Sequence, residues 1–296
     1  VENHLGPSLD KNGHEDIVLL GYDQNRDEEL DHFTKAQWAN EKRRSYFDGT
    51  AVHWYASTFK YYPELLQMAH ERAPDKYLIQ SEACIDAEVP HWHDDAWYWS
   101  KEATDWGYTW APEALKADHP KYVPVYRYAR DIIGCLNNWV DGWIDWNMVL
   151  NKEGGPNWAS NWCIAPVIVD PATDEVYYTP LYYVMKHFSK YIRPGAQRIG
   201  FELAEESVMA TATQNEDGSV TATFDNGVTN TITGDNALAS AVTAYGSRIK
   251  DVQQTAPRTT PDGPPREDAE GAVTEDRIDR GTQTTSTQST SASSSS

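Results

Sequence analysis

The chain has 296 residues, of which 40% are hydrophobic, enough to bury a substantial core. Its formal net charge of −20 disfavours nucleic acid and anionic membranes as partners, because both carry charge of the same sign. No apolar run is long enough to form a transmembrane segment, and the first residues lack the basic and apolar regions of a signal peptide. The composition therefore predicts a soluble globular protein with a neutral ligand, in a compartment that the three widely spaced cysteines do not identify.

Short apolar runs alternate with amphipathic stretches up to about residue 195, the pattern of βα units. Strands are predicted at residues 16–25, 49–55, 76–83 and 141–147. Helices are predicted at residues 63–73 and 125–140, and residues 38–47 look like the tail of another helix. A long loop rich in Trp, His and Asp is predicted at residues 86–120.

The sequence period changes after residue 200. Residues 207–224 alternate apolar and polar side chains around an Asn-Glu-Asp-Gly turn, which predicts a hairpin in a small β domain. Beyond about residue 250 the chain is polar and rich in Pro, Gly, Ser and Thr, and is predicted to be disordered. The predicted segments are therefore residues 1–195, 196–250 and 251–296.

Polar and aromatic residues recur where the predicted strands end. They are Asp23, Gln24, His53, Tyr55, Glu82, Asp145, Trp146 and Asn147. In a (β/α)₈ TIM barrel the active site forms at the carboxyl ends of the strands, so this recurrence favours that fold. Four strands cannot close a barrel. The prediction is an α/β fold with four βα units, the C-terminal half of a TIM barrel, followed by a small β-sandwich remnant and a disordered tail.

Two motifs point to other chemistry only superficially. Residues 91–95, "HWHDD", have the His-x-His-x-Asp spacing of a dinuclear metal hydrolase, but Ala96 stands where a further histidine belongs. Residues 153–158, "EGGPNW", contain glycines but lack the lysine and the following helix of a phosphate loop. Neither motif therefore predicts a metal or a phosphate ligand.

Six motifs occur in order between residues 5 and 200: "AVHWY", "SEAC", "GWIDWN", "GGPNW", "APVIVD" and "HFSKYIRPGAQRI". In their order and spacing, these motifs resemble glycoside hydrolase family 30, close to its glucosylceramidase branch. The resemblance implies a TIM barrel beside a β-sandwich-like domain, and hydrolysis of β-glycosides with retention of configuration. It implies neither a metal nor an organic cofactor.

The resemblance also assigns roles to individual residues. It implies that Glu82 of "SEAC" is the catalytic nucleophile, as a retaining glycosidase requires one ionised carboxylate to form a covalent glycosyl-enzyme. The implied substrate-binding residues are Tyr55, which would bond the nucleophile, His53 in the pocket wall, Trp146 under the sugar ring, Asn161 on a sugar hydroxyl, and Gln24.

The second catalytic carboxyl group of the family is not found in the sequence. It lies in an Asn-Glu-Pro motif, and the Asn-Glu pairs here, Asn40-Glu41 and Asn215-Glu216, fall in a predicted helix and a hairpin turn. The chain is therefore expected to start just after the strand that carries the acid/base. The β domain departs from the family after the hairpin, which suggests a truncated or frameshifted product.

The function predicted from these features is that of a retaining β-glycosidase for glucosylceramide or a related β-linked glucoside, a role in sphingolipid metabolism. Two alternatives stay open. One is another family 30 glycosidase, acting on β-glucan or β-xyloside. The other is an inactive fragment that at most binds glycan. The oligomeric state is not predicted.

Overall fold

The computed structural model describes residues 1–57, 59–85, 113, 123–157, 162–201, 209–224 and 229–232. Its helices are α1 (Leu5–Lys11), α2 (Glu28–Gln37), α3 (Glu41–Arg44), α4 (Pro63–Arg72), α5 (Val123–Asn137) and α6 (Pro180–Ser189). The first seven strands are β1 (Leu20–Asn25), β2 (Gly49–His53), β3 (Tyr77–Glu82), β4 (Gly142–Trp143), β5 (Val149–Asn151), β6 (Val167–Asp170) and β7 (Glu175–Tyr178). The last four are β8 (Gln197–Arg198), β9 (Ala210–Gln214), β10 (Val220–Phe224) and β11 (Thr229–Ile232).

Strands β1 to β4 form a parallel sheet in chain order. Consecutive parallel strands need a crossover between them, and α2 and α4 supply the first two crossovers, as expected for βα units. This arrangement brings the carboxyl ends of all four strands to one edge of the sheet. The four predicted strands are thereby confirmed, whereas the partial barrel remains a prediction.

The prediction that residues 38–47 form the tail of a helix is wrong. Helix α2 ends at Gln37, and the separate turn α3 follows after Asn40, whose side chain accepts from the Arg43 amide at 2.8 Å. Helix α2 starts where the Asp27 carboxylate accepts from the Glu29 amide at 3.0 Å, satisfying one of the free N–H groups at a helix start. The region after β1 is thus a capped helix that ends before the predicted helix tail begins.

Two strand predictions also need correction. Strand β1 begins only at Leu20, and Val18 before it is 60% exposed. Strand β4 is limited to two residues, although the Ile144 amide still donates to the Gln80 carbonyl at 2.8 Å. At the start of β3, Tyr77 is 55% exposed, so the apolar run there is not fully buried.

The main core lies between the parallel sheet, α5 and α6. It contains Trp54 from β2's end, Tyr128 and Ile133 from α5, and Leu181 from α6, all at most 1% exposed. A second cluster joins α2 and α4 to the sheet through Leu30, among others. The cores fix α5 against the ends of β2 and β3, directly behind the site described below.

Two further sheets complete the described structure. Strands β5, β6 and β7 form one of them, with a parallel and an antiparallel pair, and this sheet was not predicted. Strands β8 to β11 form an antiparallel sheet, and its β9–β10 pair confirms the predicted hairpin. The predicted loop at 86–120, apart from residue 113, and the predicted tail at 251–296 lie outside the described residues, and the boundaries at 195 and 250 remain predictions.

Candidate active site

Glu82 ends β3 and meets a tyrosine from the neighbouring strand. The Tyr55 hydroxyl donates a hydrogen bond to Glu82 Oε1 at 3.1 Å. The Tyr55 amide in turn donates to Asn25 Oδ1 at 2.9 Å, so β1 fixes the backbone that carries the tyrosine. The Glu82 side chain is 25% exposed, which leaves an accessible carboxylate at the open edge of the sheet.

His53 lies on the other side of the same carboxylate. Its Nε2 is 3.8 Å from Glu82 Oε2 and 2.9 Å from Asp23 Oδ1, so the ring bonds Asp23 and only approaches Glu82. The Ser81 hydroxyl donates to Asp23 Oδ1 at 2.7 Å. That bond lowers the pKa of Asp23, burial opposes it, and the contact with His53 lowers the pKa further. Asp23 is therefore a carboxylate that accepts from two neighbours.

The layer behind these residues is aromatic and holds a buried carboxyl group. Trp54, Tyr128 and Trp143 contact one another with ring centroids 5.1 to 5.9 Å apart. The Tyr128 hydroxyl donates to Asp145 Oδ1 at 2.8 Å, and the Trp146 amide donates to the same oxygen at 3.0 Å. Burial raises the pKa of Asp145 to about 7, although both hydrogen bonds oppose the rise. Asp145 thus faces the core rather than the accessible edge.

A buried ion pair anchors the end of β1 beneath His53. Arg26 and Asp131 are joined at 2.6 Å, with side chains 1% and 6% exposed. The Arg26 amide and its Nε donate to the His53 carbonyl at 3.2 and 3.3 Å. Asp131 also accepts from the indole of Trp143 at 2.9 Å. The pair therefore links the ends of β1, β2 and β4 to α5.

The other predicted substrate-binding residues differ in whether the structure places them beside Glu82. Trp146 is 57% exposed and its amide donates to the carbonyl of Ala83, the neighbour of Glu82, at 2.8 Å. Gln24 lies at the end of β1, but its Oε1 accepts from the adjacent Asn25 amide at 3.0 Å. Asn161 lies outside the described residues. The structure thus brings Tyr55, His53 and Glu82 into one cluster and sets Trp146 beside it.

Three residues of this cluster had no role assigned from the sequence: Asn25, Ser81 and Asp23. Asn25 and Ser81 are ordinary polar residues at strand ends, with no motif to mark them. Asp23 stood among the polar strand ends, but nothing in its sequence context indicated a contact with His53. Its place among the polar residues that end an apolar run was the sequence feature that could have marked Asp23 as a site residue.

Two structural features are absent from the part of the chain that the structure describes, a metal-binding cluster and a membrane-spanning helix. No group of three or more His, Cys, Asp or Glu side chains there could hold a metal ion. No helix there is both long and apolar enough to cross a bilayer. The "HWHDD" motif at 91–95 lies outside the described residues.

Comparison with known proteins assigns the chain to a family. The model of the glycosyl hydrolase family 30 TIM-barrel domain matches residues 1–192. The chain belongs to glycoside hydrolase family 30. This family 30 chain is 30% identical over 226 residues to putative glucosylceramidase 4 of Caenorhabditis elegans, covering 75% of the chain and 38% of that relative. It is 32% identical over 220 residues to the lysosomal acid glucosylceramidase of Mus musculus, covering 74% of the chain and 38% of that protein.

A solved structure agrees with the sequence relatives. SrfJ from Salmonella typhimurium is 26% identical, with a TM-score of 0.58, over 74% of this family 30 chain and 42% of that chain. The predicted family is confirmed. The family 30 chain spans about two fifths of the length of the curated relatives it matches, 38% in each case.

Proposed function

We propose that this family 30 chain carries the nucleophile of a retaining β-glycosidase for glucosylceramide-like β-glucosides. The observation that carries the proposal is the cluster at Glu82, a partly exposed carboxylate at a strand end with the Tyr55 hydroxyl on one oxygen and the His53 ring near the other. In a TIM barrel, catalytic residues occupy that end of the strands. The glucosylceramidase names of two relatives support the choice of substrate.

The two Glu82 oxygens have different surroundings that suit nucleophilic attack. Oε1 accepts from the Tyr55 hydroxyl at 3.1 Å, which fixes the plane of the carboxylate. Oε2 has His53 Nε2 at 3.8 Å, outside hydrogen-bonding distance, so its lone pair is available. Attack by Oε2 on the anomeric carbon would form a covalent glycosyl-enzyme as the bond to the leaving oxygen breaks.

Protonation of the leaving oxygen needs a second carboxyl group, about 5 to 5.5 Å from the nucleophile. Among the described residues, Asp23 and Asp145 also place carboxyl groups at this end of the sheet. Asp23 has a lowered pKa and accepts hydrogen bonds, so it is a poor proton donor. Asp145 has a raised pKa, but its carboxyl group is bonded to the fully buried Tyr128 hydroxyl. Neither suits the acid/base role, so we propose that this chain transfers glucose from activated leaving groups that need no proton.

Substrates with graded leaving groups test this proposal. We expect 2,4-dinitrophenyl β-glucoside to give a burst of about one dinitrophenolate per chain and then slow turnover, because departure needs no acid but hydrolysis needs a base. Azide should accelerate the slow phase and yield β-glucosyl azide, the product of retention. The less activated 4-nitrophenyl β-glucoside should react much more slowly.

Controls separate the alternatives. The E82Q variant should lose the burst while keeping the fold, which far-UV circular dichroism would check. A larger burst with 2,4-dinitrophenyl β-xyloside than with the corresponding β-glucoside would favour the alternative of a family 30 glycosidase that acts on β-xylosides. A missing burst with every activated glycoside, from folded protein, would contradict the proposal and favour an inactive glycan-binding chain.

A further inference from the structure

We propose that Asp23 is a positioning residue, which holds the Nε2–H group of His53 and keeps it away from the nucleophile Glu82. The inference rests on the proposed function, because it assigns the nucleophile role to Glu82. Asp23 would touch neither the sugar nor the reacting atoms. It would act through the imidazole ring between the two carboxylates.

The backbone of β1 is bent to bring Asp23 to this place. The register with β2 pairs Tyr22 with Ala51 and then Gln24 with Val52, so Asp23 is the extra residue of a bulge. Tyr22 and Asp23 have φ values of 77° and 58°, in the left-handed region that non-glycine residues seldom adopt. Such strain tends to occur at functional sites, where it directs a side chain. Here it directs Asp23 across β2 towards β3.

The Asp23 carboxylate joins three strands at one oxygen. Its Oδ1 is 2.7 Å from the Ser81 hydroxyl of β3 and 2.9 Å from Nε2 of His53 at the end of β2. The Ser81 hydroxyl also lies 3.3 Å from the Val52 carbonyl. A surface aspartate with no role would not be expected to make two contacts on two different strands. The arrangement fixes the side chain even though 66% of it is exposed.

The placement of hydrogens follows from the chemistry of the partners. An ionised carboxylate only accepts hydrogen bonds, so Nε2 must carry the hydrogen in its 2.9 Å contact with Asp23. That single hydrogen cannot also be donated to Glu82 Oε2, which lies 3.8 Å away. Among the described residues, the lone pair of Oε2 therefore receives no hydrogen bond, while Tyr55 donates to Oε1.

The variants D23A and D174A form a matched comparison, because each replaces an aspartate whose backbone is in the left-handed region. D23A removes the acceptor, and D174A changes an exposed aspartate with φ of 56° in the β6–β7 turn, so both carry the same backbone penalty. The readout is the rate of covalent labelling by 2,4-dinitrophenyl 2-deoxy-2-fluoro-β-glucoside. We expect D23A to slow the maximal rate about tenfold to hundredfold, the loss typical of one charge-assisted hydrogen bond, with little change in half-saturation. D174A should label at the normal rate.

A double-mutant cycle separates a role through His53 from a direct one. In an H53A background, D23A should slow labelling less than about twofold, because no ring remains to be held. D23N keeps an acceptor oxygen and should recover most of the rate. Equal slowing by D23A in both backgrounds would overturn the inference.

Nuclear magnetic resonance of ¹⁵N-histidine protein tests the contact without substrate. H53A identifies the His53 signals among the nine histidines. We expect an Nε2–H proton protected from exchange in the unchanged chain and in D23N, and its loss in D23A. An Nε2 without hydrogen, or a signal that D23A leaves unchanged, would overturn the inference. Absence of labelling in the unchanged chain would instead refute the proposed function.

Discussion

Replacing Asp145 with asparagine should remove part of the pH dependence of stability. The carboxyl group accepts from the Tyr128 hydroxyl and the Trp146 amide through Oδ1, while its Oδ2 is buried without a partner among the described residues. Burial raises its pKa in the folded state to about 7, from the ordinary value of 3.8 that it has in the unfolded chain. The folded protein therefore binds more protons than the unfolded chain between these values.

The sign and size follow from proton linkage. Stability from Asp145 is fully present below about pH 4, falls as the pH rises towards 7, and is lost above that. About three pH units at 1.36 kcal/mol each give up to about 4 kcal/mol. An asparagine side chain cannot ionise, so the D145N variant should lack this decline.

Urea unfolding at pH 5, 6, 7 and 8, followed by tryptophan fluorescence, measures the effect. Other carboxyl groups titrate in both proteins, so the informative quantity is the difference in unfolding free energy between the variant and the unchanged chain. We expect D145N to be less stable than the unchanged chain at pH 5, and to gain on it by about 2 to 3 kcal/mol between pH 5 and pH 8, because about two pH units of this window lie below the raised pKa. Parallel curves across this range would refute the reasoning.

Two further predictions concern the support of the site, and urea unfolding measures both. R26M should lower the free energy of unfolding by about 3–5 kcal/mol, because it leaves Asp131 buried without its ion pair. The double variant R26M/D131L should recover most of this loss. A loss below about 1 kcal/mol in R26M would contradict the prediction. G49A should lower the free energy of unfolding by about 1–3 kcal/mol, because a Cβ would lie 2.5 Å from the Tyr77 carbonyl oxygen. G142A should change it by less than about 0.5 kcal/mol, because the nearest contact of its Cβ is at 3.5 Å. Equal costs for the two glycines would contradict the packing argument.

The parallel strands could be predicted because each is an apolar run with polar residues at its end. Helix α2 was misplaced because its buried face includes Thr34 and Gln37, which hide the apolar period. Their polarity is satisfied inside the fold, since Gln37 donates to the Gly49 carbonyl at 2.8 Å and Thr34 to the Leu30 carbonyl at 2.7 Å. The Gln37 bond crosses to β2 and the Thr34 bond runs within the helix, and neither leaves a trace in the hydrophobic pattern.

The site was predicted in part, for a similar reason. Tyr55 and Glu82 belong to recognisable motifs, and the structure brings them within 3.1 Å. The contact between Asp23 and His53 depends on a bulge with two left-handed residues, which propensity cannot indicate for Tyr and Asp. The ion pair between Arg26 and Asp131 joins residues 105 positions apart and is equally invisible to local patterns. The roles of the site residues stay predictions.

The most direct test of the central claim is to locate the covalent intermediate. The chain would be incubated with 2,4-dinitrophenyl 2-deoxy-2-fluoro-β-glucoside, digested, and mapped by tandem mass spectrometry. We expect one fluoroglucosyl group per chain, on Glu82, with none in E82Q. A label on another residue, or no label on folded protein, would contradict the assignment of Glu82 as the nucleophile.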